Sequence, residues 1–156
     1  MKEHNGSMVT PGLKATDDTS AAVAKAPRVT LADINEAIDS VHYKTGLEMM
    51  TVAVNSASAM KTLGSLTVCM IVMKNGFVFM GEAAPASPDN YNKTVGQTFA
   101  YEAAVKKIWP AMGFALRDQL HKREQFDREP KTGTAMERAG DASAGYNAGS
   151  GADIHR

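Results

Sequence analysis

The strongest apolar signal in the chain is a pair of short oily runs, residues 66–73 (LTVCMIVM) and 77–83 (FVFMGEA), on either side of Lys74-Asn75-Gly76. Runs of this length, rich in Val, Ile, Phe and Met, read as strands. Asn75-Gly76 predicts a hairpin, because a type I′ turn needs positive φ at both central positions. A two-residue turn would set Lys74 against Phe77, Val72 against Phe79 and Met70 against Gly81. One side of the ribbon would then carry Val68, Met70, Val72, Phe77 and Phe79. The other would carry Cys69, Ile71, Met73, Val78 and Met80, with Glu82 at its end. Both sides are apolar, whereas a sheet with one wet face alternates. Each face therefore needs a cover: helices supply one, and a second copy of the chain is expected to supply the other, which predicts a homo-oligomer.

Helical spacing flanks the hairpin. Thr30 precedes LADINEAIDSVHY, in which Leu31, Ile34, Ile38 and Val41 recur on one stripe, and Asp33 stands where a capping box usually has Glu. This helix is expected to end before Gly46. Residues 44–63 are ambiguous, since TVAVNS alternates while SASAMKTL suits a helical turn, so a variable insert with a short strand is expected there. After the hairpin, the loop AAPASPDNYN leads into KTVGQTFAYEAAVKKIW, helical by Val95, Phe99 and Glu102 and by Tyr101, Val105 and Ile108. Gly96 weakens its first turn by about 1 kcal/mol against alanine. Pro110 is expected to end or kink it and to serve as N1 of a second helix, AMGFALRDQLHKREQF. Residues 1–27 and 127–156 are rich in small and polar residues without a sustained period, and are expected to be a disordered N-terminal arm and C-terminal tail. The predicted architecture over residues 28–126 is α+β, an antiparallel β-hairpin or small sheet packed with two to three helices. A core of that size is marginal alone, and oligomerisation would help it.

Composition narrows the function classes. Lys and Arg number 17 and Asp and Glu 17, for a formal net charge of zero, so no global basic field draws in duplex nucleic acid. No stretch approaches a membrane span and the start MKEHNGS is not a signal peptide, so a soluble, intracellular protein with no membrane partner is expected. The single cysteine, Cys69, excludes an intrachain disulfide and a thiolate cluster, and reads as a small buried hydrophobe. A nucleophilic pair of Cys69 and His42 lacks any activating feature. The four histidines show no ligand spacing, so no metal and no cofactor are expected. Glu82 and Glu102 could flank a cleft as acid and base, although capping or salt bridging is their simpler role.

Anion binding is the chemistry the pattern favours. No Walker loop or dinucleotide fingerprint occurs, because Gly76, Gly81 and Gly96 are too widely spread. A helix N-terminus with positioned cations can hold a phosphate instead. Residues 87–92 (SPDNYN) deliver donors at a helix start, including Asn90, and Lys106, Lys107 and Arg117 follow on the helices. Phe77, Phe79 and Tyr91 offer flat surfaces on which a purine can stack. Each also has a plain structural role: core for the phenylalanines, capping for Asn90, a solvated face for the lysines.

The strings LADINEAIDSVHY, LTVCMIVMKNGFVFMGEAAPASPDNYN and AYEAAVKKIWPAMGFALRDQL together resemble the small phage protein family named after the gene 49 and gene 66 products of two tailed phages. The most specific pieces are KNGF followed by GE-A-A-SP-N, and A-x-x-KIWP-x-x-G-x-x-L-R. The resemblance covers about residues 29–120. Pro85 stands where the family pattern has a cysteine, so no role of that cysteine carries over, and the insert 44–63 matches poorly. The layout is also similar to phage anti-defence sponges that counter Thoeris immunity by sequestering a cyclic ADP-ribose isomer between subunits, some of which take up cyclic oligonucleotides. That resemblance implies a non-enzymatic homo-oligomer, without catalytic residues, acting in the host cytoplasm on a cyclic nucleotide signal. It places Phe77 or Phe79 under the base, and Asn90 with Lys106, Lys107 or Arg117 on phosphates, lysine lacking the bidentate geometry of arginine. The alternative is an accessory module that binds a host or replication protein; a third reading is a small hydrolase using Glu82 and Glu102.

Overall fold

A computed structural model describes residues 6–128 of the chain. Residues up to Leu120 form one compact unit; a second begins at His121. In the first unit, three strands make an antiparallel meander in the order β1-β2-β3, with β1 at Ile38–Thr45, β2 at Thr67–Met73 and β3 at Val78–Ala83. Helices α1 (Pro11–Val23) and α2 (Leu31–Ala37) precede the sheet, and α3 (Ala57–Ser65) lies between β1 and β2. Helix α4 spans Lys93–Arg128. The architecture is α+β, as the pattern predicts.

The hairpin forms, with a different turn. Gly76 N donates to Met73 O at 2.8 Å and Met73 N donates to Phe77 O at 2.8 Å, while Gly76 takes a φ of 85°. The loop is therefore three residues, a turn centred on Lys74-Asn75 closed by a left-handed glycine. That extra residue moves the register by one and exchanges the faces of β3 relative to β2. Phe79 pairs with Ile71, Gly81 with Cys69, Val78 with Val72 and Met80 with Met70. The two-residue register, which put Phe79 beside Val72, is corrected accordingly.

The face carrying Cys69, Ile71 and Met73 is the core side. All three are buried, together with Ala100, Tyr101, Ala104, Val105 and Ile108 of α4 and with Ile34 and Ile38. The helix lies directly on the strands. A Cβ on Gly81 would come within 2.2 Å of Ala100 O and 2.4 Å of Ala104 N, and one on Gly96 within 2.5 Å of Thr67 Oγ1. Two polar contacts fix the helix laterally: Trp109 Nε1 donates to Val29 O at 3.0 Å, and the Tyr101 hydroxyl donates to Asn35 Oδ1 at 3.2 Å.

Four expectations change. The helix read over 31–43 stops at Ala37, and Ile38–Thr45 pairs with β2 as a strand. Ile38 and Val41 fit helical spacing, yet Val41, Tyr43 and Thr45 also fit a strand face, and the open edge of β2 decides between them. The capping box itself forms, with Thr30 N donating to Asp33 Oδ2 at 2.8 Å and Asp33 N donating to Thr30 Oγ1 at 3.1 Å. The N-terminal arm expected over 1–27 contains α1, capped by Thr10 and anchored by the buried Leu13. Arg28 meets Asp17 at 2.5 Å, and the Thr10 hydroxyl donates to Glu102, so polar ties do what a broad apolar stripe would. Pro110 neither ends nor divides α4: Ile108 is buried and Trp109 and Met112 lie against the core, which holds the helix through the lost backbone bond. No strand forms at 51–56, and the helical option for the insert appears as α3. The tail expected from 127 lies outside the described residues beyond Arg128.

Gly81→Ala should destabilise the fold by roughly 3 kcal/mol or more, because backbone atoms leave no room for a methyl. Gly64→Ala, in open space on α3, should be neutral or stabilising by up to about 1 kcal/mol; urea denaturation of both variants measures the contrast. Hydrogen bonds from Thr30 hold the Asp33 carboxyl below its ordinary value. The stability this supplies is present above about pH 4, the ordinary carboxylate range, and is lost as pH falls through the lower folded-state value. Thr30→Ala should cost about 1 kcal/mol at neutral pH and flatten the acid limb of the stability profile.

Candidate functional site

At the end of β3 the chain leaves the sheet through Ala84-Pro85 and makes a single 3₁₀ turn at Pro88–Asn90. Ser87 Oγ accepts from Asp89 N at 3.4 Å and Pro88 starts the turn, so serine and proline shape it locally. Lys61 of α3 meets the Asp89 carboxylate at 2.7 Å and ties the loop to that helix. Asn92 then caps α4: its Oδ1 accepts from Val95 N at 3.0 Å, and its carbonyl accepts the Gly96 N–H at 2.8 Å. Asparagine is among the best residues for that position.

This loop and the first turns of α4 enclose a cleft of about 140 Å³. Ala83, Ala84 and Pro85 line one side, Val95, Gly96 and Phe99 the other, and Asn90, Tyr91 and Asn92 supply the polar groups. An apolar wall with a few convergent polar side chains is the usual make-up of a small-molecule site. The start of α4 adds outward-facing amides and a partial positive charge. Behind Gly96 the Thr67 hydroxyl is buried, with no hydrogen-bond partner among the described residues.

Of the residues singled out in the sequence, Asn90 and Tyr91 line this cleft and the others do not. Phe77 and Phe79 form a tilted ring pair with centroids 4.9 Å apart, and Phe79 stands roughly 13 Å along β3 from Ala83. Lys107 donates to Met80 O at 2.7 Å and stands 3.9 Å from Glu82, clasping the edge of β3. Lys106 is exposed about three turns beyond Val95, and Arg117 about six turns beyond it, or roughly 33 Å along the axis. One protomer therefore does not bring the aromatic, amide and cationic groups into a single pocket. Val95, Gly96 and Phe99 were missed as lining residues, whereas Pro85 and Asn92 belong to the loop already read as presenting donors to a ligand. The loop's Ala-Ala-Pro and the Val95/Phe99 stripe were visible signals, and Phe99 is 58% exposed although its neighbours Ala100 and Tyr101 are buried.

The other chemistry resolves into structure. Cys69 is fully buried, and burial pushes its thiol up to about 11, the opposite of an activated nucleophile. The Tyr43 hydroxyl beside it is likewise raised by burial and lacks a hydrogen-bond partner among the described residues. Glu102 receives the Thr10 hydroxyl at the start of α1, while Glu82 faces Lys107; neither lines the cleft. Among the described residues no group of three or more His, Cys, Asp or Glu is arranged to hold a metal, and no helix is long and apolar enough to cross a membrane.

Comparison with curated proteins and with solved structures finds no match. A family model does match, the Phage protein (N4 Gp49/phage Sf6 gene 66) family, over residues 29–120. That span begins just before α2 and includes all three strands, the cleft and α4 as far as Leu120. With more than half of its length matched, the chain belongs to this family of phage proteins.

Proposed function

We propose that this phage protein is a non-enzymatic anti-defence factor that binds and sequesters a cyclic nucleotide immune signal in the host cytoplasm, in the class of a cyclic ADP-ribose isomer or a cyclic oligonucleotide. The observation that carries the reading is the cleft at the start of α4, where Tyr91 and Phe99 offer rings to a base and Asn90 and Asn92 offer amides. A helix N-terminus on the same cleft suits a phosphate. The engagement of Glu102 by Thr10 and of Glu82 by Lys107 favours binding over hydrolysis at those carboxylates. The cleft volume of about 140 Å³ is below the roughly 300 Å³ at which small-molecule sites begin. Part of such a ligand would therefore emerge past the exposed Phe99, where a second copy would cover it. The alternative, a module that docks on a host or replication protein, draws on the apolar sheet face opposite α4.

A thermal-shift panel of cyclic ADP-ribose isomers and cyclic di- and trinucleotides tests the reading. A true ligand at about 100 times its Kd should add about 2.7 kcal/mol to folded stability and be recovered unchanged after heat release. Asn90→Ala or Tyr91→Ala should weaken binding about 10- to 100-fold, the scale of a lost charged hydrogen bond or a lost stacking ring. Phe77→Ala, remote from the cleft, should leave it intact. Absence of stabilisation by every member would contradict the proposal.

A further inference from the structure

One buried hydroxyl is left over by the fold, and it lies under the cleft. Thr67 is 2% exposed, and its Oγ1 has no hydrogen-bond partner among the described residues. The other buried polar side chains are satisfied: the Thr10 hydroxyl donates to Glu102, and Ser65 Oγ donates to Thr62 O at 2.8 Å. Thr45, beside Thr67 on β1, turns its own hydroxyl to Glu48 Oε2 at 3.0 Å. An unpaired hydroxyl costs the fold free energy that a valine of the same shape would not, so its presence calls for a cause. The surroundings supply one. Ala83 is the register partner of Thr67 on β3, and a Cβ on Gly96 would lie 2.5 Å from Thr67 Oγ1. The Tyr91 ring reaches the same spot, with Cε2 3.7 Å from that Cβ position. Ala83, Tyr91 and Gly96 all line the cleft. The hydroxyl therefore sits one layer below the cleft wall, at the point where glycine makes that wall thinnest.

We infer that Thr67 is a ligand-binding residue: its hydroxyl hydrogen-bonds the polar edge of a bound nucleobase, reached when the Tyr91 side chain swings away from Gly96. The inference rests on the ligand reading of the cleft and adds the group at its floor. Tyr91 is free to make that movement. It is half-buried, and its backbone is fixed by its N–H donating to Pro88 O at 3.1 Å, whereas its hydroxyl makes no hydrogen bond among the described residues. Withdrawal of the ring enlarges a cleft of about 140 Å³ and leaves the ring beside the entering base, where the two flat faces can stack. A hydroxyl both donates and accepts, so it matches the amino groups, ring nitrogens and carbonyls on a base edge. A phosphate belongs instead at the start of α4, with the helix amides. The base is then gripped by face and by edge. A flat apolar molecule without an edge donor or acceptor would leave the Thr67 hydroxyl unpaired, and the site would discriminate against it.

Thr67→Val and Thr67→Ser in the full-length protein test this, by urea denaturation without ligand and by calorimetric titration with cyclic ADP-ribose, its ring isomers and cyclic di- and trinucleotides as probes. Without ligand, Thr67→Val should raise the urea midpoint, because a methyl group replaces an unpaired hydroxyl. For the probes that bind the wild type, Thr67→Val should weaken affinity about tenfold, while Thr67→Ser, which keeps the hydroxyl, should stay within about threefold. Higher stability together with weaker binding is the signature of a group kept for a ligand, since a purely structural hydroxyl would lose stability on the same change. Thr67→Val binding as tightly as the wild type, or unfolding at lower urea, would overturn the inference and leave the ligand reading of the cleft standing. A wild type that binds none of the probes would overturn both.

Discussion

Everything in this fold follows from how closely α4 lies on the sheet. At Gly81 the backbone of β3 touches the backbone of the helix at Ala100 and Ala104, and at Gly96 the helix backbone meets Thr67. Contacts of that kind exist only where one partner has no side chain. They select the face of the sheet that becomes core, because only the side bearing Gly81 can accept a helix at this distance. They also determine where the chain must reverse after β3, since the first turns of α4 have to return to Thr67. The cleft is the space left between that reversal and the helix.

The same constraint gives the two sheet faces different fates. On the α4 side, Cys69, Ile71 and Met73 are sealed by Tyr101, Val105 and Ile108, and the chain adds α1 and α2 through a few directional contacts from Thr10, Arg28, Asn35 and Val29. On the other side the chain supplies no comparable cover for Val78 and Met80. A core of this size gains stability by hiding such a face.

Much of this was legible in the residues. The Thr30 and Asp33 capping box, the hairpin, the loop and the apolar stripe of α4 each carry a local signal that agrees with the tertiary structure. Other features are decided at longer range. Asn75-Gly76 marks a turn, but whether it closes over two residues or three depends on how β3 must face α4, and that choice relocates Phe79. Residues 38–45 satisfy a helical and a strand pattern alike until β2 offers an edge. Helix α1 has Leu13 and little else to announce it, and Pro110 is overruled by packing on both sides. The site was half visible: Asn90 and Tyr91 sit in a loop whose shape is local, whereas Lys106, Lys107 and Arg117 share a helix with it but are carried away from it by the helical rise.

The central functional claim is that the pocket at the start of α4, within a phage protein family of otherwise unspecified chemistry, is a ligand site. Hydrogen exchange followed by mass spectrometry, with and without a saturating cyclic ADP-ribose isomer or cyclic oligonucleotide, addresses it most directly. Residues 83–99 should gain protection, while residues 106–117 within the same helix should change little. Protection concentrated elsewhere, or unchanged exchange over 83–99 with ligand bound, would contradict the account.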